Sequence, residues 1–271
     1  DFSLLFMKYE GIYFMKKTLI ALAVAASAAV SGSAMAWTAN GTGGSVDLGG
    51  TLTPVDVITP WEVKVGAAVN DLNADIHKGD TTVSIPVENA IPVLGIRTIE
   101  SAAFTGQSGI SPQISYGAAI NLDGFAANET TLNLEVKDST GANKIGTLSA
   151  PFFAVAEQSI KGPDTNYRAG VIANYEGALF FGGLPKSEAG YSPVFNANGV
   201  VPDVTAHYDE QGQEWRESVG WSSVSDPQHT YSAYYASGIE QGKTIRITLE
   251  QPAASDAIAW KASLPVTVSY Q

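Results

Sequence analysis

Trp260-Lys261-Ala262-Ser263-Leu264-Pro265-Val266-Thr267-Val268-Ser269-Tyr270-Gln271 is the stretch that decides the fold. Trp260, Ala262, Leu264, Val266, Val268 and Tyr270 fall on every second position. A period of two held over six apolar residues predicts a β-strand with one face fully buried. Shorter runs of the same kind recur upstream. Residues 60–65 set Trp61, Val63 and Val65 against Glu62 and Lys64. Residues 81–87 turn Val83, Ile85 and Val87 inward, residues 131–136 turn Leu132, Leu134 and Val136, and residues 243–249 turn Ile245, Ile247 and Leu249. Turn chemistry separates them, as in His77-Lys78-Gly79-Asp80, Ser139-Thr140-Gly141 and Gly238 to Gly242. Short alternating strands between turns predict an all-β sandwich rather than a βαβ fold.

From about Pro151 to Asp226 the period of two fades. Tyr167, Val171, Tyr175 and Leu179 stand four apart, which predicts a short amphipathic helix stopped at Gly182-Gly183. The stretch 187–226 is rich in Asn, Gly, Pro, Ser and aromatic residues. Residues 151–228 therefore read as an insertion of short helices and loops on the sandwich. Such an insertion either carries function on a rigid scaffold or only packs against it.

The other end of the chain reads as an export signal. Lys16 and Lys17 precede the uncharged apolar run Thr18–Val30, and Ala34-Met35-Ala36 is a small-x-small cleavage site. Residues 15–36 are thus expected to be a signal peptide, with the mature chain starting at Trp37. Residues 1–14 precede a good start at Met15 and read as upstream translation. Behind the signal, Val46, Leu48 and Leu52 share one face of a Gly-flanked strand. Residues 37–54 either pair within their own domain or insert into a neighbouring subunit by strand addition. The C-terminal strand is likewise either the ordinary last strand of a complete sheet or an open edge that needs a cover.

Composition narrows the function classes. Residues 1–36 hold three of the 15 basic and two of the 27 acidic side chains, so the remainder carries 12 and 25. A net charge near −13 argues against nucleic acid or anionic lipid as a partner. The absence of cysteine excludes thiol catalysis and Cys-ligated metal sites, and leaves stability to core burial and strand pairing. His77, His207 and His229 share no metal spacing, no Gly-x-Ser-x-Gly elbow is present, and Asp71-x-Asn73-x-Asp75 continues with Ile76 where a calcium loop needs Gly. Neither a cofactor nor a catalytic residue is expected, although Glu214 and Glu217 leave a secreted carbohydrate-active enzyme as the remote alternative. One cluster suits sugar, because pyranose faces stack on aromatic rings while nearby polar groups take the hydroxyls. Tyr175, Glu176, Trp215, Arg216, Trp221 and Tyr231 are its leading candidates, with Tyr191, Tyr208, Glu217 and His229 nearby in sequence. Each aromatic ring has packing against the sandwich as its alternative.

Specific strings carry a resemblance. Gly44-Ser45-Val46-Asp47-Leu48-Gly49-Gly50, Trp61-Glu62-Val63-Lys64-Val65-Gly66, Phe181-Gly182-Gly183-Leu184, Ala236-Ser237-Gly238-Ile239 and the closing strand quoted above resemble the FaeG-type (K88-like) major fimbrial subunits of chaperone–usher pili. The resemblance spans both ends of residues 37–271 and loosens around 185–230. It implies an incomplete immunoglobulin-like sandwich over 55–271, completed by donor-strand exchange. It implies that Val46, Leu48 and Leu52 fill the groove of the next identical subunit. Leu264, Val266, Val268 and Tyr270 would lie on the edge that a periplasmic chaperone binds before an outer-membrane usher assembles the fibre. It further implies a cell-surface fimbrium that adheres to a host glycoprotein or glycolipid; a purely structural subunit is the alternative.

Overall fold

The computed structural model describes residues 37–55 and 58–271. The signal peptide expected at 15–36 and the stretch 1–14 lie outside the described residues. The chain divides into two units, residues 1–57 and residues 58–271, each taken here by itself.

In the first unit, residues 37–55 form no strand. A turn at Ala39-Asn40 closes with the Gly41 amide donating to the Thr38 carbonyl at 3.1 Å. Trp37, Val46, Leu48, Leu52 and Val55 are all exposed.

The regular structure of the second unit is almost entirely strand. β1 (Trp61–Val65), β2 (Thr82–Pro86), β3 (Ile91–Thr98), β4 (Phe104–Thr105), β5 (Pro112–Ser115), β6 (Glu129–Asp138) and β7 (Lys144–Lys161) come first. β8 (Asn166–Val171), β9 (Trp215–Gly220), β10 (Thr230–Ile239), β11 (Thr244–Leu249), β12 (Trp260–Lys261) and β13 (Thr267–Tyr270) follow. The four alternating runs read from sequence are β1, β2, β6 and β11.

The 18-residue β7 organises the architecture by changing partners along its length. Residues 144–153 pair with β6 and residues 146–149 with β11, which in turn pairs with β2. Residues 153–161 pair with β10, which leads to β3 and β1. Residues 157–161 pair on the opposite edge with β8, which runs parallel to β9. The strand thus belongs to two layers at once. Leu132, Val136, Leu148, Ile245 and Ile247 of one layer share a single core cluster with Leu94, Ile96, Ala156, Ile160 and Tyr235 of the other. This is a β-sandwich.

The second layer is covered on its outer face too. Phe153, Val155, Tyr234 and Ala236 point away from the core and pack against Ala197, Val200, Val201 and Val204 of the inserted segment. Sheet strands buried on both faces lose their alternation. That is why the period of two fades from residue 151: β7 continues to Lys161, eleven residues into the expected insertion, and β8 and β9 within it join the same sheet. The helix expected over 167–179 is absent. Residues 166–171 are β8, with Tyr167 facing Ile160 across an antiparallel pair. The spacing of four arose by chance from a strand followed by a loop. The helical pieces of the segment are single 3₁₀ turns at Glu188–Gly190 and Ala197–Gly199.

Candidate acceptor groove and aromatic shelf

The C-terminal run keeps its period of two, but only Trp260–Lys261 and Thr267–Tyr270 are strand and its inward face is half-buried rather than fully buried. From Trp260 to Gln271 every even position is half-buried and every odd one exposed. Leu264, Val266, Val268 and Tyr270 lean on the main core without being enclosed by it. Among the described residues the run is paired only at its two ends. Trp260 and Lys261 pair with Asp138 and Lys137 of β6, and Thr267–Tyr270 pair with Ser115–Pro112 of β5. Between these ends the chain parts from β6. Residues 262–266 take no backbone partner among the described residues, and a cleft of about 440 Å³ opens beside Ala119, Leu134, Ala262 and Pro265.

β1 shows the same deficit. Trp61, Val63 and Val65 share its inward face, yet their exposure climbs from 5% to 41% to 58%. Trp61 is fixed by its indole N–H donating to the Ile110 carbonyl at 2.7 Å and by edge-on contacts with Phe104 and Phe180. Among the described residues, Val63 and Val65 have β3 on one side and no strand on the other. Residues 67–76 continue without a ladder, and Val69 is 39% exposed. Both runs thus keep apolar side chains partly uncovered beside backbone that has no ladder partner among the described residues.

The sugar candidates separate into three groups. Tyr231 is in the core, stacked on Phe104 with centroids 5.9 Å apart, so burial withholds its ring from a surface ligand. Trp215 packs edge-on against Phe195 and under the Arg168 guanidinium, 5.7 Å from the ring centroid. Tyr175 and Trp221 are 42% and 48% exposed. Their loops are neighbours, since the Leu179 amide donates to the Ser222 carbonyl at 2.7 Å. Arg216 lies over the Tyr167 ring at 3.6 Å and donates to the Val219 carbonyl. Glu176 is exposed and accepts from the Gln271 side chain at 3.2 Å. Tyr175, Glu176 and Trp221 thus remain accessible on neighbouring loops, with exposed Arg216 on β9.

A family model described as "Fimbrial, major and minor subunit" (Fimbrial_K88) matches residues 15–271. The chain belongs to this fimbrial subunit family. It is 33% identical to the K88 fimbrial protein AC of Escherichia coli over 94% of this chain and all of that protein. It is 32% identical to the K88 fimbrial protein AB and 31% identical to the F41 fimbrial protein of the same organism, with equal coverage.

As a fimbrial subunit it is a structural protein and not an enzyme, so the carbohydrate-active alternative at Glu214 and Glu217 is set aside. Sequence reading singled out the apolar face of the C-terminal run and placed Val63 and Val65 on an inward face without marking them, or Val69, as uncovered. The signal was available: residues 60–65 alternate as an inward-facing strand, but alternation does not tell a covered face from an uncovered one.

Proposed function

We propose that this fimbrial subunit polymerises by donor-strand complementation, and that the resulting fibre adheres to host glycoconjugates through the Tyr175–Trp221 surface. The observation that carries the reading is that β1 and the 260–270 run each leave apolar side chains partly uncovered, Val63 and Val65 on the one and Leu264, Val266, Val268 and Tyr270 on the other. It calls for an extended, apolar-alternating segment with free backbone groups. Val46, Leu48 and Leu52 supply that pattern in a segment that forms no strand and exposes these side chains. Enclosing each aliphatic side chain contributes roughly 1.5–3 kcal/mol, and the ladder adds hydrogen bonds that the groove edges otherwise give to water. Gly49 and Gly50 let the donor lie close where the groove is shallow.

Before assembly, the same edge needs a temporary cover, because an open strand with an apolar face aggregates. A periplasmic chaperone adding its own strand along Leu264, Val266, Val268 and Tyr270 provides it, and an outer-membrane usher exchanges it for the next subunit. The signal at 15–36 delivers the chain to that compartment, and the product is a fimbrium at the cell surface. Each shallow sugar site needs only millimolar affinity, about −4 kcal/mol. Repetition along the fibre raises the effective strength by avidity with no new contact.

The test is electron microscopy of material from cells co-expressing chaperone and usher. The full chain should give fibres, and the chain lacking residues 37–54 should give only a soluble chaperone complex. Fibres from the deletion would overturn the donor-strand reading. Fibres that form normally but do not bind host cells would leave a purely structural subunit.

A further inference from the structure

β5 carries the closing strand on one edge and the aromatic shelf on the other. On the first edge Thr267–Tyr270 pair with Ser115–Pro112, and Ser111 and Gln271 exchange both backbone hydrogen bonds at 3.0 Å. Successive residues of a strand send their backbone groups to opposite edges. The Pro112 carbonyl and the Ile114 amide therefore face away from the closing strand. The loop that follows Tyr175 takes both. Phe180 N–H donates to the Pro112 carbonyl at 2.9 Å, and Ile114 N–H donates to the Phe181 carbonyl at 2.8 Å.

Side chains reinforce this edge. Gln113, 8% exposed, holds the loop with both ends of its amide. Its Oε1 accepts from Gly177 N–H at 2.9 Å, and its Nε2 donates to the Ala178 carbonyl at 2.9 Å. The Gln271 side chain, at the end of the closing strand, donates to Glu176 at 3.2 Å. Among the described residues, each hydrogen bond that residues 176–181 make beyond their own turns goes to β5, to Gln271 or to Ser222 beside Trp221. The closing strand depends on β5 just as closely. Over residues 262–271 its backbone partners among the described residues are all within 111–115.

We propose, on the groove and shelf readings above, that β5 couples the two sites: firm seating of the closing strand holds β5, and β5, chiefly through Gln113, holds the Tyr175 loop in place. Whatever encloses the half-buried side chains of the closing strand then also orders the adhesive surface. Two sites ordered through one element each make the other cheaper to order. The coupling runs both ways, so a ligand that firms the shelf also firms the closing strand. A subunit inside the fibre thus presents a firmer shelf than one whose groove is empty.

Hydrogen exchange on assembled fibres tests this with the parent chain, Val268→Ala, Gln113→Met and the double variant. Val268 stands opposite Ile114 and is half-buried, so Val268→Ala loosens the closing strand at a residue outside the shelf. Protection of residues 175–181 should fall at least about fivefold in Val268→Ala, the low end of ordinary site-to-site coupling. β3 should keep its protection, which a general loosening of the subunit would not allow. Gln113→Met keeps the side-chain length and removes both amide contacts to the loop. Protection of 175–181 should fall there too, and adding Val268→Ala should lower it little further. Unchanged protection of 175–181 in Val268→Ala overturns the proposal, as does an equal fall in β3 or a fully additive fall in the double variant. Val266→Ala and Gln113→Asn, whose side chain is too short to span to the loop, replace any variant that gives no fibres. The readout uses no sugar, so its failure is distinct from fibres that do not bind cells, and distinct again from fibres formed without residues 37–54.

Discussion

The hydroxyls of Tyr116 and Tyr235 meet 2.7 Å apart in the interior of the sandwich, both rings almost wholly enclosed. Tyr116 also reaches the Ser237 hydroxyl at 2.7 Å, and Tyr235 donates to the Gly183 carbonyl at 2.9 Å. One chain of polar contacts thus ties the segment after β5, strand β10 and the Phe181–Leu184 turn together. Burial raises both phenols, so both stay protonated and serve as neutral donors.

Tyr235→Phe should destabilise the subunit by about 1–3 kcal/mol, because it leaves the Gly183 carbonyl buried without its donor while keeping the ring. Tyr116 retains Ser237 and should soften the loss. Equilibrium denaturation of the variant beside the parent chain checks this, and a loss below about 0.5 kcal/mol would mean that the network is dispensable.

The paired glycines of Phe181-Gly182-Gly183-Leu184 are a steric requirement. Gly182 has φ +86°, and a Cβ there would stand 2.0 Å from the Ile114 carbonyl oxygen. At Gly183 a Cβ would meet Ile114 Cδ1 at 2.6 Å and the Tyr235 hydroxyl at 2.8 Å. Gly182→Ala combines left-handed strain with a backbone clash and should cost about 3 kcal/mol or more. Soluble yield of the chaperone complex should fall sharply. A normal yield and unchanged melting temperature would contradict the close approach of this turn to β5.

How much of this was legible in the sequence follows from which faces are buried. β1, β2, β6, β11 and the closing strand each have one face toward the core and one toward solvent, so their alternation was visible. β10 and the second half of β7 are covered on both faces, and Ala154-Val155-Ala156-Glu157-Gln158-Ser159-Ile160 shows no period at all. The same double burial hid the Glu157 network: a Glu among alanines in a presumed loop gives no sign of its Tyr234 and Arg168 partners, 77 and 11 residues away. The aromatic set was chosen on residue type, which cannot tell Tyr231 in the core from Trp221 at the surface.

Val266→Asp probes the groove. Val266 is only half-buried, so a carboxylate there keeps access to water and the subunit should still fold. Once a donor strand covers the site, that charge would be desolvated without a partner, at a cost of several kcal/mol. Fibres should be absent or short while the chaperone complex persists. Val63→Asp, at the uncovered residue of β1, should act in the same direction. Full-length fibres from both variants would place the donor elsewhere.

Trp215 and Trp221 provide the sharpest separation of packing from recognition. Trp215 lies between Phe195 and Arg168, so Trp215→Ala removes an aromatic contact and the support of a guanidinium bound to buried Glu157. It should destabilise by about 2–4 kcal/mol and lower fibre yield. Trp221 leaves nearly half its surface in solvent, and Trp221→Ala should cost no more than about 1 kcal/mol. If the Tyr175–Trp221 surface receives sugar, losing one stacking ring should weaken each site by about 1–2 kcal/mol, roughly tenfold. A fibre multiplies that deficit over many sites, so binding to host cells should collapse although the fibres look normal. Counting cell-bound fibres of Trp221→Ala, with Tyr175→Ala as its companion, reads this directly. Undiminished binding by both variants would assign the two rings to the surface without a role in adhesion.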